Sequence, residues 1–206
     1  MVAFVLTAAG LVVGLPAASL AAPFGGDVTL RDRAAVGIVT AAVYGVLGWR
    51  IGPEPVLAAL CYLAAVGVLL GFVDLRTRRL PDRFTLPSYG IAATLLAAAV
   101  PFTVDGPRRF LGALIGMVLL YVLYYVQALV PSGVGMGDVK LAGVLGLCLG
   151  WFGMDAWLAG LLASSLLGGV AGLGVLIVRR TRKGEFAYGP YMLAGALIGV
   201  LAFPSG

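Results

Sequence analysis

Of the chain's 206 residues, 61% are hydrophobic and only 11% are charged, with a mean hydropathy of +1.06. A soluble domain carries about 45–50% apolar and about 25% charged residues, so a water-facing globule is excluded and lipid is the expected solvent. The net charge of +5 comes from Lys and Arg beside apolar runs, which suits an anionic membrane surface. With no basic stretch interleaved with aromatics, it is not a nucleic-acid patch.

Charge-poor runs occur in chain order at 1–26, 34–49, 55–73, 84–104, 110–137, 141–154, 156–178 and 186–206. Because these runs are continuous rather than alternating, they predict helices and not barrel strands. The first run lacks a basic leading region and exceeds the apolar length of a cleavable signal, so it is read as a span. Residues 34–49 are short, but Arg33 and Arg50 at their ends can snorkel to the interface. Residues 141–154 would give about 21 Å of helix, and they either extend back to Asp138, tilt, or enter without crossing. The expected fold is therefore all-α, a polytopic transmembrane bundle of about eight helices, seven if that segment does not cross. No repeat or separable soluble region is visible, so residues 1–206 are expected to form one integral-membrane domain.

Orientation follows from the basic residues. If the loop after Asp74 is cytoplasmic, alternation over eight helices collects Arg31, Arg33, Arg76, Arg78, Arg79, Arg83, Lys140, Arg179, Arg180, Arg182 and Lys183 on that side. Only Arg50, Arg108 and Arg109 remain opposite. Both termini are then outside, and Asp74 and Asp138 share the cytoplasmic face.

Those two acids carry the chemistry. A charged side chain at the bilayer centre costs roughly 2.5–3.5 kcal/mol on insertion scales, so acids bordering apolar spans are functional candidates. Asp74 ends its run and opens a short basic hook, DLRTRRLPD. Leu80-Pro81 stops the helix there, and the chain is expected to return into the next span after Pro87. The bland alternative is positive-inside flanking, with Asp74 paired to a nearby arginine. In GMGDVK, Gly135 and Gly137 precede Asp138 and Lys140, and glycines permit positive φ and close backbone approach. The bland alternative for Asp138 is a helix N-cap.

Histidine is absent, which removes His-dependent nucleophile dyads and His-containing zinc sites. Cys61 and Cys148 form no CxxC and are read as small apolar fillers; neither a metal nor a cofactor is expected. Carboxylates, Lys, Tyr and Ser remain as catalytic options, and the two motifs together suggest a pair of carboxylates sharing one proton, one activating water while the other hydrogen-bonds the scissile carbonyl. Burial opposes their ionisation, whereas Lys140, Arg76 and the helix dipole at Asp138 favour it. Small residues at four-residue spacing (Gly112 and Gly116; Ala142, Gly146 and Gly150; Gly160, Ser164 and Gly168; Gly195 and Gly199) predict close helix contacts.

At Asp74 through Leu80-Pro81-Asp82, at Gly135-Met136-Gly137-Asp138-Val139-Lys140, and at YGPYMLAGALIG (Tyr188 to Gly199), the chain resembles the type IV prepilin peptidases, membrane-embedded GxGD aspartyl proteases. The resemblance is good over roughly 70–206. It implies that Asp74 and Asp138 are the catalytic pair, supported by Gly135, Gly137, Lys140, Pro81 and Asp82. It implies cleavage of basic leaders from prepilin or pseudopilin precursors at the cytoplasmic face of the bacterial inner membrane. Asp82 is a lesser candidate for a catalytic carboxylate, solvated in the loop, and a candidate contact for the leader. Larger family members carry a zinc-binding insert with two CxxC pairs between the first two helices and also methylate the new N-terminus. Residues 23–33 are too short for that insert, so the resemblance implies a compact form without zinc and leaves methyl transfer in doubt. Two other readings compete. A presenilin or signal-peptide-peptidase type protease lacks its Pro-Ala-Leu tripeptide here, and a proton- or cation-coupled transporter subunit lacks visible internal symmetry. Oligomeric state is not legible.

Overall fold

The structure is a computed structural model that describes residues 1–130, 134–179 and 187–204. Among these the only regular elements are helices: α1 (Val2–Ala17), α2 (Ala22–Gly25), α3 (Leu30–Arg50), α4 (Leu57–Thr77), α5 (Asp82–Ala99), α6 (Gly106–Leu129), α7 (Met136–Trp151), α8 (Met154–Arg179) and α9 (Gly189–Ala202). Pro16, which cannot donate in the helical ladder, precedes a 3-10 turn at Ala18–Ala21. Helix α1, that turn and α2 together form one apolar span, Val2–Phe24. The count is thus the eight expected helical units. Five are long and apolar enough to cross a membrane: Val2–Phe24, Leu57–Thr77, Asp82–Phe102, Gly106–Leu129 and Met154–Val175. The chain is a multi-pass membrane protein.

Helix ends depart from the charge-free runs where local chemistry outweighs hydropathy. Helix α3 starts four residues before its run because Thr29 and Asp32 cap it reciprocally: Thr29 N–H donates to Asp32 (2.9 Å) and Asp32 N–H to the Thr29 hydroxyl (3.2 Å). The run 110–137 is not one helix. Helix α6 stops at Leu129, and Val130 before Pro131 is extended, so Met136 and Gly137 belong to α7. Helix α4 passes Asp74 by three residues and ends at Arg78, whose backbone is left-handed (φ 54°). The hook is therefore shorter than expected. Helix α5 resumes at Asp82 and contains Pro87 within it, so the return comes before Pro87, not after it.

The packing centres on α7. Every residue from Leu141 to Trp151 is buried, so this helix lies against protein on all sides. Its 16 residues do not need to match the bilayer thickness because lipid hardly touches them. Around it the helices form close pairs through the small residues picked out above. A methyl on Gly116 would lie 2.6 Å from the Gly146 carbonyl oxygen, and one on Gly112 would lie 2.7 Å from that of Gly150. This locks α6 onto α7. Gly195 faces Ser164, and Gly199 faces Ala156 and Gly160, joining α9 to α8. Gly10 and Gly14 admit the backbone of Ala41 and Gly37, joining α1 to α3. In lipid there is little hydrophobic drive between helices, so this close van der Waals contact holds the bundle. The polar groups inside are satisfied locally: buried Ser164 donates to the Gly160 carbonyl (2.7 Å), and the Trp157 indole to that of Gly116 (3.1 Å).

Up-and-down alternation brings the C-terminal ends of α4 and α6 to the same end as the N-terminal ends of α5, α7 and α9. Asp74 and Asp138 therefore stand at one end of the bundle. At this end Arg76 reaches from α4 to Asp32 on α3 (3.4 Å). At the other end Arg50 on α3 donates to the Leu201 carbonyl on α9 (2.9 Å). Arg180, Arg182 and Lys183, assigned above to the Asp74 side, lie outside the described residues.

Candidate active site

Asp74 opens the last turn of α4, 4% exposed. A carboxylate this enclosed needs a donor, and it has one: the backbone N–H of Gly189 donates to its Oδ2 at 3.0 Å. Gly189 is the first residue of α9, with Pro190 next to it, so its N–H has no partner within the helix and is free to point outward. Asp74 thus lies on the positive end of the α9 dipole. The glycine also gives clearance, since a β-carbon there would be 2.9 Å from Asp74 Oδ2. Just beyond, Arg78 N–H closes the end of α4 onto the Asp74 carbonyl at 2.7 Å.

Asp138 is placed by a parallel device on α7. It is the third residue of the helix, not the N-cap weighed above; Gly135 is the N-cap. Its Oδ2 accepts the Gly135 N–H at 3.1 Å, as the acidic member of a capping box does. Asp138 is only partly buried. Each aspartate is therefore held by one main-chain N–H at a helix start, Asp74 by that of a neighbouring helix and Asp138 by that of its own.

Leu80 joins the three sequence motifs. A β-carbon on Gly137 would lie 3.0 Å from Leu80 Cβ, and one on Gly189 would lie 3.5 Å from Leu80 Cδ2. This corrects the expected reason for the glycines of GMGD. Neither takes a positive φ: Gly135 is extended (φ −83°, ψ 157°) and Gly137 is helical. The requirement at Gly137 is for room, because Leu80 occupies the space a side chain would fill. Pro81 caps α5 with its carbonyl, which accepts the N–H groups of Phe84 (3.1 Å) and Thr85 (3.3 Å).

Asp82 and Lys140 also differ from expectation. Asp82 is not a loop residue but the first residue of α5. Lys140 Nζ bonds both of its oxygens at 2.7 Å. Arg76 in turn pairs with Asp32 (3.4 Å) and donates to the Asp27 carbonyl (3.2 Å). The two cations expected beside the aspartates thus have other carboxylates as partners, and the direct polar partners of Asp74 and Asp138 are main-chain N–H groups.

Sequence reasoning did not single out several neighbours. Buried Tyr124 on α6 meets the Tyr188 hydroxyl at 3.4 Å. The Tyr188 ring lies over Gly168 of α8. Tyr89 on α5 donates to the Lys140 carbonyl at 2.6 Å, tying α5 to the first turn of α7. The only sequence signal for any of these was the YGPY stretch, which marked a region without marking Gly189 as the donor. Among the described residues no group of three or more His, Cys, Asp or Glu side chains is placed to hold a metal ion.

Comparison with known proteins matches residues 61–173 to the type IV leader peptidase family. A prepilin leader peptidase/N-methyltransferase of Aeromonas salmonicida (strain A449) is 33% identical over 171 residues, 81% of this chain and 56% of that protein. One of Neisseria gonorrhoeae is 32% identical over 169 residues, 78% of this chain and 54% of that protein. One of Pseudomonas putida is 32% identical over 161 residues, 76% and 54% respectively. The chain spans about half the length of these curated relatives. No solved structure matches it. With more than half of its length matched, and with the three motif stretches gathered at one end of a helical membrane bundle, the chain belongs to the type IV leader peptidase family.

Proposed function

We propose that the chain is an aspartic endopeptidase that removes the basic leader of type IV prepilin-like precursors, with Asp74 and Asp138 as its catalytic pair. The observation that carries this reading is that two acids 64 positions apart in sequence stand at one end of the bundle, each held by a main-chain N–H at a helix start. The relatives' names supply the substrate class.

Two neighbouring carboxylates do not both ionise cheaply, so the pair holds one proton and titrates as a unit. The ionised member takes a proton from water as the water oxygen attacks the scissile carbonyl carbon. The protonated member donates to the carbonyl oxygen, and a tetrahedral gem-diol forms. Collapse breaks the C–N bond, a proton passes to the leaving amine, and one shared proton is left for the next cycle. The Gly189 and Gly135 N–H groups each hold one oxygen, Oδ2, which leaves Oδ1 of each aspartate for water and substrate. Lys140 acts at a distance by holding Asp82, and with it the start of α5, against the first turn of α7.

The positive-inside bias of Arg76, Arg78, Arg79, Arg83 and Lys140 supports a cytoplasmic location for this end and, with the family, the bacterial inner membrane. Methyl transfer, the second activity in the relatives' names, is not part of this proposal. Co-expression with a prepilin carrying a basic leader tests the reading. The precursor is expected to shift to its mature size on a gel, and Asp74→Asn or Asp138→Asn to abolish the shift while the protein stays in the membrane fraction. Cleavage that persists in both variants would rule out the pair.

A further inference from the structure

A single peptide plane, the one joining Tyr188 to Gly189, holds Asp74. Its N–H donates to Asp74 Oδ2 at 3.0 Å. The carbonyl of the same plane turns the other way, into α9, and accepts the N–H groups of Tyr191 (3.1 Å) and Met192 (3.3 Å). A peptide unit is rigid, so its two polar groups move together. Whatever fixes Tyr188 therefore fixes the donor at Asp74. The Tyr188 side chain makes no cap bond to the helix it precedes; its ring reaches sideways onto two others. On α8 it fills the place of a missing side chain, since a β-carbon on Gly168 would collide with its Cε2 and lie 2.9 Å from its Cδ2. On α6 it meets Tyr124, with ring centroids 6.2 Å apart and planes tilted by 44°, a separation typical of attractive aromatic pairs. Tyr124 is buried in the core, so that wall is firm. Gly195 and Gly199 join α9 to α8 beyond its first turn, and Tyr188 extends that attachment to the plane itself.

We propose that Tyr188 is a positioning residue for Asp74: its ring, notched into α8 at Gly168 and backed by Tyr124 of α6, holds the peptide plane that orients the carboxylate. The inference rests on the peptidase reading above, in which the orientation of Asp74 governs the chemical step. It gives α6 and α8 a part in the site, although neither carries one of the two aspartates. The competing account is that Tyr188 only fills space, so that its loss costs stability and leaves turnover alone. A displaced plane has a different signature. Substrate binds as before and the chemical step slows, because a carboxylate turned from its productive geometry costs up to about 10²-fold in rate. The ring carbons, not the hydroxyl, make the overlap with Gly168, so phenylalanine at this position would keep the notch filled.

The test follows cleavage of a prepilin precursor by the full-length protein in phospholipid vesicles, with thermal unfolding measured in parallel. Tyr188→Ala removes the ring, and Gly168→Ala pushes it from its notch while leaving the tyrosine in place. Each is expected to lower kcat about 10- to 100-fold with KM changed less than about threefold. Tyr188→Phe is expected to restore kcat to within about threefold of the unsubstituted protein. Gly172→Ala, one turn along α8 in open space, controls for a methyl on that helix and is expected to leave kcat unchanged. Because Tyr188 and Gly189 act through one hydrogen bond, adding Gly189→Ala to Tyr188→Ala is expected to cost less than about threefold more. An unchanged kcat in Gly168→Ala, an effect confined to KM, or a Tyr188→Phe variant as slow as Tyr188→Ala would overturn the ring as the positioning group and leave the peptidase standing. Losses that multiply on adding Gly189→Ala would do the same. No cleavage by the unsubstituted protein would overturn both. Where Tyr188→Ala does not fold, Gly168→Ala and Tyr188→Phe decide the matter.

Discussion

The Gly189 N–H donates a 3.0 Å hydrogen bond to the Asp74 carboxylate across 115 residues of chain. That bond fastens the start of α9 to the end of α4, and it means that Asp74 is oriented by a helix distant in sequence. Substituting Gly189 keeps the N–H but places a methyl 2.9 Å from the carboxylate oxygen, so the carboxylate must move. Displacements of this size from productive geometry cost up to about 10²-fold in rate. Gly189→Ala is expected to lower kcat for precursor cleavage by about 10- to 100-fold with little change in thermal stability. A variant of full activity would show that the Asp74 orientation fixed by this bond is not the working one.

The Asp82–Lys140 pair is partly exposed, and such pairs contribute about 0–1 kcal/mol to stability. Its effect is expected in positioning, since Lys140 lies two residues after Asp138. Lys140→Met is expected to reduce cleavage several-fold without a matching loss of stability. The exchange Asp82→Lys with Lys140→Asp is expected to recover most of it. Kinetics on purified single and double variants decide this; if the exchange recovers nothing, the charge of Lys140 has a target other than Asp82.

Packing of α6 on α7 depends on glycines that have no room to grow. Gly116→Ala would drive a methyl to 2.6 Å from the Gly146 carbonyl oxygen and 2.9 Å from Gly150 Cα, and overpacking of this kind costs about 1–3 kcal/mol. Gly172 lies inside α8 with open space around it, where alanine is the better helix former by about 1 kcal/mol. Gly116→Ala is therefore expected to lower detergent stability and Gly172→Ala to hold or raise it. Thermal unfolding followed by tryptophan fluorescence checks the contrast.

These contacts show what could be read from sequence. Asp74 and Asp138 stood out because isolated acids beside apolar runs are rare, and that signal needs no tertiary information. The spacing of Gly112, Gly116, Gly146 and Gly150 was legible for the same reason: a four-residue ridge is a local pattern. The purpose of Gly137 was not, because what fills its empty side is Leu80, 57 positions earlier in the sequence. The partners of Lys140 and Arg76 were also hidden. Lys140 and Arg76 bond Asp82 and Asp32, which lie 58 and 44 positions away in sequence. Helix ends were misplaced where absence of charge was the only guide, as at Leu129, and where a Thr-x-x-Asp cap carried α3 back through Arg31 and Arg33.

Cys148 lies buried on α7 and Cys61 is half-buried on α4, and among the described residues neither thiol has a hydrogen-bond partner. Cys61→Ser with Cys148→Ser is expected to retain cleavage within a few-fold. The buried hydroxyl at position 148 should cost no more than about 1–3 kcal/mol in stability. Loss of activity in a variant that stays folded would reveal a role for a thiol.

The most direct measurement is a double-mutant cycle on the pair, following precursor cleavage by reconstituted protein with unfolding measured in parallel. Groups that act as one unit are non-additive, and general acid–base catalysis contributes typically 10²–10⁴-fold. Asp74→Asn, Asp138→Asn and the double variant are expected to lose activity to the same extent, by at least about 10²-fold, while all three remain folded. Losses that multiply in the double variant, or a single variant within a few-fold of the unsubstituted protein, would contradict the shared-proton pair.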